Sequence, residues 1–556
     1  MKNICLGFSV GHNRGAAITV DGEIKVSVSN ERITRRKTDH SKDIPEESID
    51  YCLNALGITY ADVDLWVYNI TEEDVDIPAQ FEEFTGLSHE KLEFVPHHMA
   101  HAYSTFYASN FEEAVVVVVD AMGSLYNDQT PIKKWYQLDE SQLEPGQQWG
   151  EAYSIYKFTK DNARPEPVYK KWTRFPFQPP YEGSIGYLYG MGSKQLVYSE
   201  KHNTWQAGKL MGLASYADKE WVDKQPEYSI RTESDLQVPT APIMEDVANY
   251  KSDFQAKANI AGLYQREQEL NSMHLVEMAK KMTGMDSLCV AGGSFLNCNT
   301  NEMIIKSGLF ENNYFLPPAD DSGIPIGCAF FGSSLLEATR KIPENWMPAY
   351  LGKTYSDKDV EEAVKDRNDV FAYKYTEEGI IELAALALSE NKVIGWFNGG
   401  SENGPRALGN RSILANPSKK WMVEYINSEI KKREWYRPFA PSVLFERQAE
   451  IFDLDVYSPY MLVTTTVKPE WRERIPAVTH FDHTSRYQSV TPQSNEKYHK
   501  LISRFEEKTG IPVVLNTSFN GPEEPIVETP TDAINTMLKH DLYALFINNY
   551  VIMKKK

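Results

Sequence analysis

Two histidines four residues apart, His97 and His101 in VPHHMAHAYS, are followed nineteen residues later by Asp120 at the end of a five-valine run. A spacing of four places both imidazoles on one face of a helix. A run such as VVVVVD reads as a buried strand that carries its last carboxylate to the carboxyl edge of a sheet, where α/β sites lie. A further carboxylate is on offer at Asp321 in PPADDSGIPIGCA, with Asp320 beside it. Two imidazoles and two carboxylates suit Fe, Mn or Zn better than a closed thiolate zinc site would. The spacing fits equally well a histidine pair at a helix N-terminus satisfied by backbone groups, with Asp120 as a turn residue.

A second concentration of chemistry lies near the C-terminus. Cations stand in glycine- and proline-rich turns: Arg406 and Arg411 in GPRALGNRS, Lys431, Arg433 and Arg437 in IKKREWYRPFAPS, and Arg486 in TSRYQSV, with Asn516 in VVLNTSFN. Solvated surface charge explains single residues but not arginines flanked by Pro, Phe, Ala and Leu. Guanidinium forks match phosphate and carboxylate bidentately, so an oxyanion pocket is the better reading.

These residues need elements to hold them. CLGFSVGHNRGAAITVDGEIKVSVSNE reads as three strands joined by a glycine-rich turn and a DG turn, and EAVVVVVDAMGS begins a second such start. LCVAGGSFLNCNTNEMII reads as strand, Gly-Gly turn and helix N-terminus, a cradle for an anion or nucleotide. Together they predict a duplicated, two-lobed α/β unit to about residue 340. RKIPENWMPAYLGKTYSDKD looks like the domain connection, with a second α/β domain after it: helices at EEAVKDR and EGIIELAALALSE, then strand KVIGWFNG. The boundaries expected are 1–350 and 351–556.

A chain of 556 residues is too long for one core. Apolar stretches are strand-length, short of the ~20 residues of a membrane span, and MKNICLGFSVG enters a strand directly, without a signal-peptide pattern. Five scattered cysteines without CxxC fit a cytoplasmic protein. A net charge of −20 argues against general nucleic-acid affinity while leaving room for a local basic groove.

HHMAH, GKLMGLASY, AGGSFLN, GPRALGNRSILANP, KKREWYRPFAPS, TSRYQSV and PVVLNTSFNG, in that order, resemble the O-carbamoyltransferases, the family of the nodulation-factor, cephalosporin hydroxymethyl and nebramycin carbamoyltransferases. The likeness runs from about residue 4 to 550. It implies an actin-like N-terminal domain similar to the tRNA threonylcarbamoyl-transferase fold and a YrdC-like C-terminal domain. It also implies metal ligands His97, His101, Asp120 and Asp321, usually for Fe²⁺, with Asp320 the alternative to Asp321. His12 would be catalytic; a plain turn role is its other reading. Arg406, Lys431, Arg437, Arg486 and Asn516 would bind carbamoyl phosphate. Gly123, Lys209, Gly292, Gly293 and Asn297 would hold ATP, with its Mg²⁺, or carbamoyl-adenylate. One departure is His12-Asn13-Arg14, where the family has a His-Asp-Ser type of turn; a carboxylate is lost and a cation added. The implied reaction carries carbamoyl phosphate through carbamoyl-adenylate to an acceptor hydroxyl. A threonylcarbamoyl-adenylate enzyme acting on tRNA would share both folds but use threonine and bicarbonate. A non-catalytic nucleotide-binding regulator would not need the arginines.

For the acceptor, Tyr156–Phe177 interleaves basic and aromatic residues, with Lys170, Lys171, Trp172 and Arg174 at its centre. It reads either as a β-hairpin with an aromatic inner face or as a platform stacking bases along a phosphate backbone. With Arg14, Arg32, Arg35, Arg36 and Lys37 it would rim the site. The acceptor is accordingly a hydroxymethylated DNA base, such as 5-hydroxymethylcytosine, or a small sugar or natural-product hydroxyl. The oligomeric state stays open, a homodimer included.

Overall fold

The computed structural model describes residues 2–555 apart from 72–74, 128–130, 160–163, 176–181, 198–204, 240–252, 337–339, 341 and 344–345. Parts of the basic-aromatic segment and of the expected connection therefore lie outside the described residues. The chain divides into two units: Met1–Asn30 with Thr38–Met347, and Glu31–Lys37 with Pro348–Lys556.

The first unit opens with β1 (Ile4–Val10), β2 (Gly15–Val20), β3 (Glu23–Ser29), β4 (Leu65–Ile70) and β5 (Leu92–Phe94), in spatial order β3-β2-β1-β4-β5. The first three are antiparallel, whereas β1, β4 and β5 run parallel. β6 (Ala114–Val119), β7 (Leu125–Tyr126), β8 (Gln148–Phe158) and β9 (Glu166–Phe175) start a second sheet. A small sheet of β10 (Glu182–Gly183), β11 (Ile230–Arg231) and β12 (Leu236–Pro239) intervenes. β13 (Ser287–Ala291) and β14 (Asn312–Phe315) then complete the second sheet. There β9, β8 and β6 are antiparallel and β6, β13 and β14 parallel. The second sheet thus repeats the order and directions of the first, the duplication expected from two similar strand starts.

Every residue of β6 is fully buried. Burying one valine side chain is worth about 1.5 kcal/mol or more, so this strand cannot shift without exposing its apolar run, and Asp120 is held at its end. The helix Ile324–Leu335 packs with equal closeness. A Cβ on Gly7 of β1 would lie 2.3 Å from the Ala329 nitrogen, and one on Gly327 would lie 1.9 Å from the carbonyl oxygen of Ala100. Ala100 sits between His97 and His101. Gly327→Ala is accordingly expected to lower the melting temperature by several degrees, overpacking costing about 1–3 kcal/mol. Metal affinity should fall with it, which calorimetric titration of the folded variant would show.

The second unit holds β15 (Val370–Lys374), β16 (Ile394–Phe397), β17 (Arg411–Ala415), β18 (Ala440–Leu444), β19 (Thr464–Thr466), β20 (Thr484–Arg486), β21 (Gln488–Val490), β22 (Val513–Ser518), β23 (Leu545–Ile547) and β24 (Tyr550–Lys554). Eight of these form one mixed sheet, β15-β24-β23-β16-β17-β22-β18-β21. Helix Glu377–Ser389 lies where EGIIELAALALSE predicts it, while the helix expected at EEAVKDR starts four residues earlier, at Asp357, and ends at Val364; Thr376 and Ser356 cap them. Between them β15 pairs with β24, a strand the sequence reading omitted.

Glu31–Lys37 packs in this unit because its arginines find carbonyls there. Arg32 donates to Gly404 O at 2.9 Å, and Arg35 to Ile526 O and Pro525 O at 2.7 and 2.9 Å. A continuous 1–350 domain therefore gives way at this segment. Among the described residues no helix is long and apolar enough to cross a membrane.

Candidate metal centre and anion site

His97 and His101 lie on the first turns of the helix His97–Ala108, both buried. Asp120 follows β6, and Asp321 begins the short turn that leads into the helix Ile324–Leu335. Each of the four offers one ligand atom, all within 4.8 Å of one another. His97 Nε2 lies 3.3 Å from Asp120 Oδ2 and 3.4 Å from Asp321 Oδ1; His101 Nε2 lies 3.9 and 3.6 Å from the same atoms. Ligands bound about 2.1 Å from one ion at tetrahedral or octahedral angles stand about 3.0–3.4 Å apart; the two His97 distances match that spacing, and the two His101 distances are wider. Both ring nitrogens of His101 are buried without a hydrogen-bond partner. A cation is what such a buried, oriented imidazole lacks, so the residues fit a divalent metal of the Fe, Mn or Zn kind. His97 Nδ1 meets Asn69 Oδ1 at 2.9 Å and Asn69 Nδ2 donates to Val95 O at 2.8 Å, a support that turns Nε2 toward the carboxylates.

The electrostatics agree. Burial alone would lower the pKa of His97, but Asp321 and Asp120 overcome it and raise it to about 10. The two carboxylates thus hold a positive charge between them. Asp320 turns away: its side chain accepts from Ser322 N at 3.2 Å and from Ser322 Oγ. Burial pushes its pKa up. His12 sits at the rim with half its side chain exposed, Nδ1 3.5 Å from Asp321 Oδ2, and that contact raises its pKa. It is placed by the turn after β1, where Gly11 and Asn13 adopt positive φ of 97° and 53°.

Of the residues assigned to nucleotide, Gly293 N meets Asp120 Oδ1 at 3.3 Å, and Gly292 takes a φ of +97° with its position above Val119 too close for any Cβ. Lys209 is buried on the helix Ala207–Ala214. Asn297 exchanges two hydrogen bonds with Gln265, at 2.9 and 3.0 Å, and caps the helix Cys298–Ser307. Its side chain is thus engaged within the fold. Gly123 donates its N–H to Glu151 O at 2.9 Å, and a Cβ there would lie 2.6 Å from Glu151 Oε2.

The segment expected as an acceptor platform turns part of its charge inward. β8 and β9 form a hairpin, and the charge of Lys170 points into it: Nζ lies 2.5 Å from Glu151 Oε1, among the rings of Tyr136, Tyr156 and Trp172. Lys171 pairs with Asp235 at 3.0 Å. Trp172 meets Tyr126 and Tyr136 edge-on; Arg174 is on β9 of the same hairpin, opposite Trp149. Of the expected rim, Arg14 is buried against Asp39 at 3.2 Å, while Arg32, Arg35 and Lys37 belong to the second unit.

In the second unit the cations do gather. Lys431 is buried, its Nζ donating to Ser518 O, Asn520 O and Asn520 Oδ1 at 2.5, 2.9 and 2.8 Å. Burial, then Arg433, Lys37 and Arg437, pull its pKa well below the usual range. Arg433 and Arg437 are lowered chiefly by burial, and both feel Arg486. Arg486 Nε is itself buried without a hydrogen-bond partner. Like charges crowded this way await an anion. Arg406 lies in a loop folded around Glu402, whose Oε1 accepts from the N–H groups of Leu408, Asn410 and Arg411 at 2.7, 2.8 and 3.1 Å. Asn516 Nδ2 donates to Ala407 O at 3.2 Å and Ser442 Oγ at 3.0 Å, so its amide N–H is spent on the loop and sheet. Glu402 and Lys37 escaped the sequence reading in these roles. An acid in GGSENGPRALGN was the one available signal for Glu402, and Lys37 had none.

Comparison with known proteins finds two family models. "Carbamoyltransferase N-terminus" matches residues 4–91 and 81–330, and "Carbamoyltransferase C-terminus" matches 385–554. The chain is 30% identical to the nodulation protein NolNO of Sinorhizobium fredii, over 99% of this chain and 83% of that protein. It is 28% identical to the uncharacterized protein MJ1051 of Methanocaldococcus jannaschii, over 99% of this chain and 100% of that protein. Among solved structures, HypF of T. kodakarensis aligns with 62% of this chain and about half of its own length, 49%, at a TM-score of 0.40 and 13% identity.

Proposed function

The chain belongs to the carbamoyltransferase family, and from that premise we propose its reaction: ATP-dependent transfer of the carbamoyl group of carbamoyl phosphate, through carbamoyl-adenylate, to an acceptor hydroxyl. The observation that carries the reading is the crowding of Lys431, Arg433, Arg437 and Arg486 in one unit and of His97, His101, Asp120 and Asp321 in the other. The cation cluster would neutralise the phosphate of carbamoyl phosphate while water cleaves it to carbamate and phosphate, and would then hold the carbamate for attack of its oxygen on the α-phosphorus of ATP, which releases pyrophosphate and leaves carbamoyl-adenylate. The C-terminal unit is proposed as YrdC-like and the first as actin-like, a reading the repeated strand order supports.

Fe²⁺ or a similar divalent ion on the four ligands would supply charge to the phosphate side of the adenylate, easing departure of AMP. Gly292 and Gly293, whose backbone comes close to Asp120, are proposed to cradle that phosphate. His12, half exposed beside Asp321, would take the proton of the attacking hydroxyl. Among the described residues of that segment, Lys170 and Lys171 are paired with Glu151 and Asp235, which speaks against their serving a DNA backbone. The acceptor is therefore proposed to be a small sugar or natural-product hydroxyl.

The test is mass spectrometry of reactions containing protein, carbamoyl phosphate, ATP and Fe²⁺ or Mg²⁺. Two acceptor sets are offered, a pool of sugars and aminoglycosides, and DNA containing 5-hydroxymethylcytosine. A gain of one carbamoyl group in the small-molecule pool is expected. A gain on the nucleoside alone would reverse the acceptor assignment, and carbamoylation that needs threonine and bicarbonate would overturn the reaction.

A further inference from the structure

The metal-facing end of the helix His97–Ala108 has no cap of its own. Its N-cap residue is Pro96, which brings no side-chain hydrogen bond, and the first N–H groups of a helix need acceptors. They find them on other elements. His97 N donates to Ser124 Oγ at 3.0 Å, and His98 N donates to Glu151 Oε2 at 3.2 Å. The same Glu151 oxygen accepts Ser124 N at 2.9 Å, while Glu151 O accepts Gly123 N at 2.9 Å and Glu151 N donates to Ser124 O at 3.2 Å. One carboxylate therefore ties together the helix that carries His97 and His101 and the loop that leaves Asp120. It is fully buried.

A buried carboxylate needs a counter-charge, and Lys170 supplies it from β9. The lysine side chain is 9% exposed. Its ammonium donates to Glu151 Oε1 at 2.5 Å, Ser154 Oγ at 3.0 Å and Tyr156 OH at 3.2 Å. Ser154 Oγ in turn lies 2.9 Å from His98 Nδ1, so the ring next to His97 is held from the same side. The positive end of the helix dipole also favours a carboxylate at this place. Glu151 thus turns Oε2 toward the frame of the metal centre and Oε1 toward Lys170.

We propose that Glu151, neutralised by Lys170 and acting with Ser124, is a positioning residue that caps the ligand helix from outside and sets the affinity of the His97–His101–Asp120–Asp321 site for metal. Neither Glu151 nor Lys170 is among the four candidate ligands. The proposal rests on the reading of those four residues as metal ligands.

Mn²⁺ titration of the full-length protein, followed by electron paramagnetic resonance, tests it. The double variant Glu151→Gln/Lys170→Met keeps the volumes and removes both charges together, so that neither is left buried alone. Its dissociation constant for Mn²⁺ should rise by about ten- to hundredfold, the usual cost of losing an outer support of a metal site, with far-UV circular dichroism unchanged. Lys170→Arg, which keeps the charge, should hold most of the affinity. Ser124→Ala removes only the oxygen facing His97 N and should weaken Mn²⁺ binding in the same direction, an arm that remains if the double variant fails to fold. Unchanged Mn²⁺ affinity in a folded double variant, or in Ser124→Ala where the double variant does not fold, overturns the positioning role while the wild-type site stands. Failure of the wild type to bind Mn²⁺ or Fe²⁺ at all would overturn the metal reading, and this inference with it.

Discussion

His97→Ala is expected to strip the protein of bound metal and to slow carbamoyl transfer by about a thousandfold or more. A metal's charge on a leaving phosphate is worth several kcal/mol at the transition state, and each 1.36 kcal/mol is about tenfold in rate. His97 is the imidazole nearest both carboxylates, at 3.3 and 3.4 Å, so its loss breaks the shell at its centre. The variant also leaves Asp120 and Asp321 facing each other in a buried place with less positive charge between them, and the metal-free protein should melt earlier for that reason. Elemental analysis of the purified variant reads the metal, and AMP release in the presence of acceptor reads transfer. Pyrophosphate release should persist, because adenylation is assigned to the other unit. If pyrophosphate release vanished together with the metal, adenylation would belong at the metal centre.

Arg437→Met is expected to abolish carbamoyl phosphate consumption, again by about a thousandfold or more, without destabilising the phosphate-free protein. The reasoning comes from like charges. Arg437 is half-buried, lies within the field of Glu434, Tyr436 and Arg486, and depresses both Lys431 and Arg433. In the absence of an anion that crowding is a cost to the fold, and a neutral side chain of similar length relieves it. Once the anion binds, the same crowding becomes binding energy aimed at a phosphate. Thermal melting with and without carbamoyl phosphate separates the two effects: the wild type should gain melting temperature on addition, the variant should not, and the variant alone should melt no lower. A variant that melted much earlier would mark Arg437 as a structural cation. Arg406→Ala should likewise lose carbamoyl phosphate consumption while nucleotide binding by the first unit stays intact.

Much of the metal centre was legible in the chain because its geometry is local. A spacing of four puts His97 and His101 on one helical face whatever surrounds them. Five consecutive valines form a buried strand that ends in an acid, and β6 does so. Asp321 required more, a choice between two adjacent acids. The fold assigns them by turn chemistry: Asp320 caps the turn through Ser322, leaving Asp321 to face the histidines. The cations of the second unit were readable for a similar reason, since guanidinium groups beside Pro, Phe and Leu have little chance of being solvated.

What the chain alone decided, then, was which residues carry the chemistry and which short elements present them, because spacing within one helix or strand is set by covalent geometry. Tertiary structure decided where charge is spent. Lys170 looked like a solvated contact for nucleic acid until β8 brought Glu151 to within 2.5 Å of it. Arg32, Arg35 and Lys37 looked like part of a basic rim until their donors met carbonyls of the second unit or joined its cation cluster. The amides of Asn297 and Asn516 hydrogen-bond Gln265 and Ala407, while Asn516 Oδ1 stays buried without a partner. A side chain's charge or hydrogen bond goes to whichever partner the fold brings within about 3 Å, and that partner stands tens to hundreds of residues away, where no local pattern can register it.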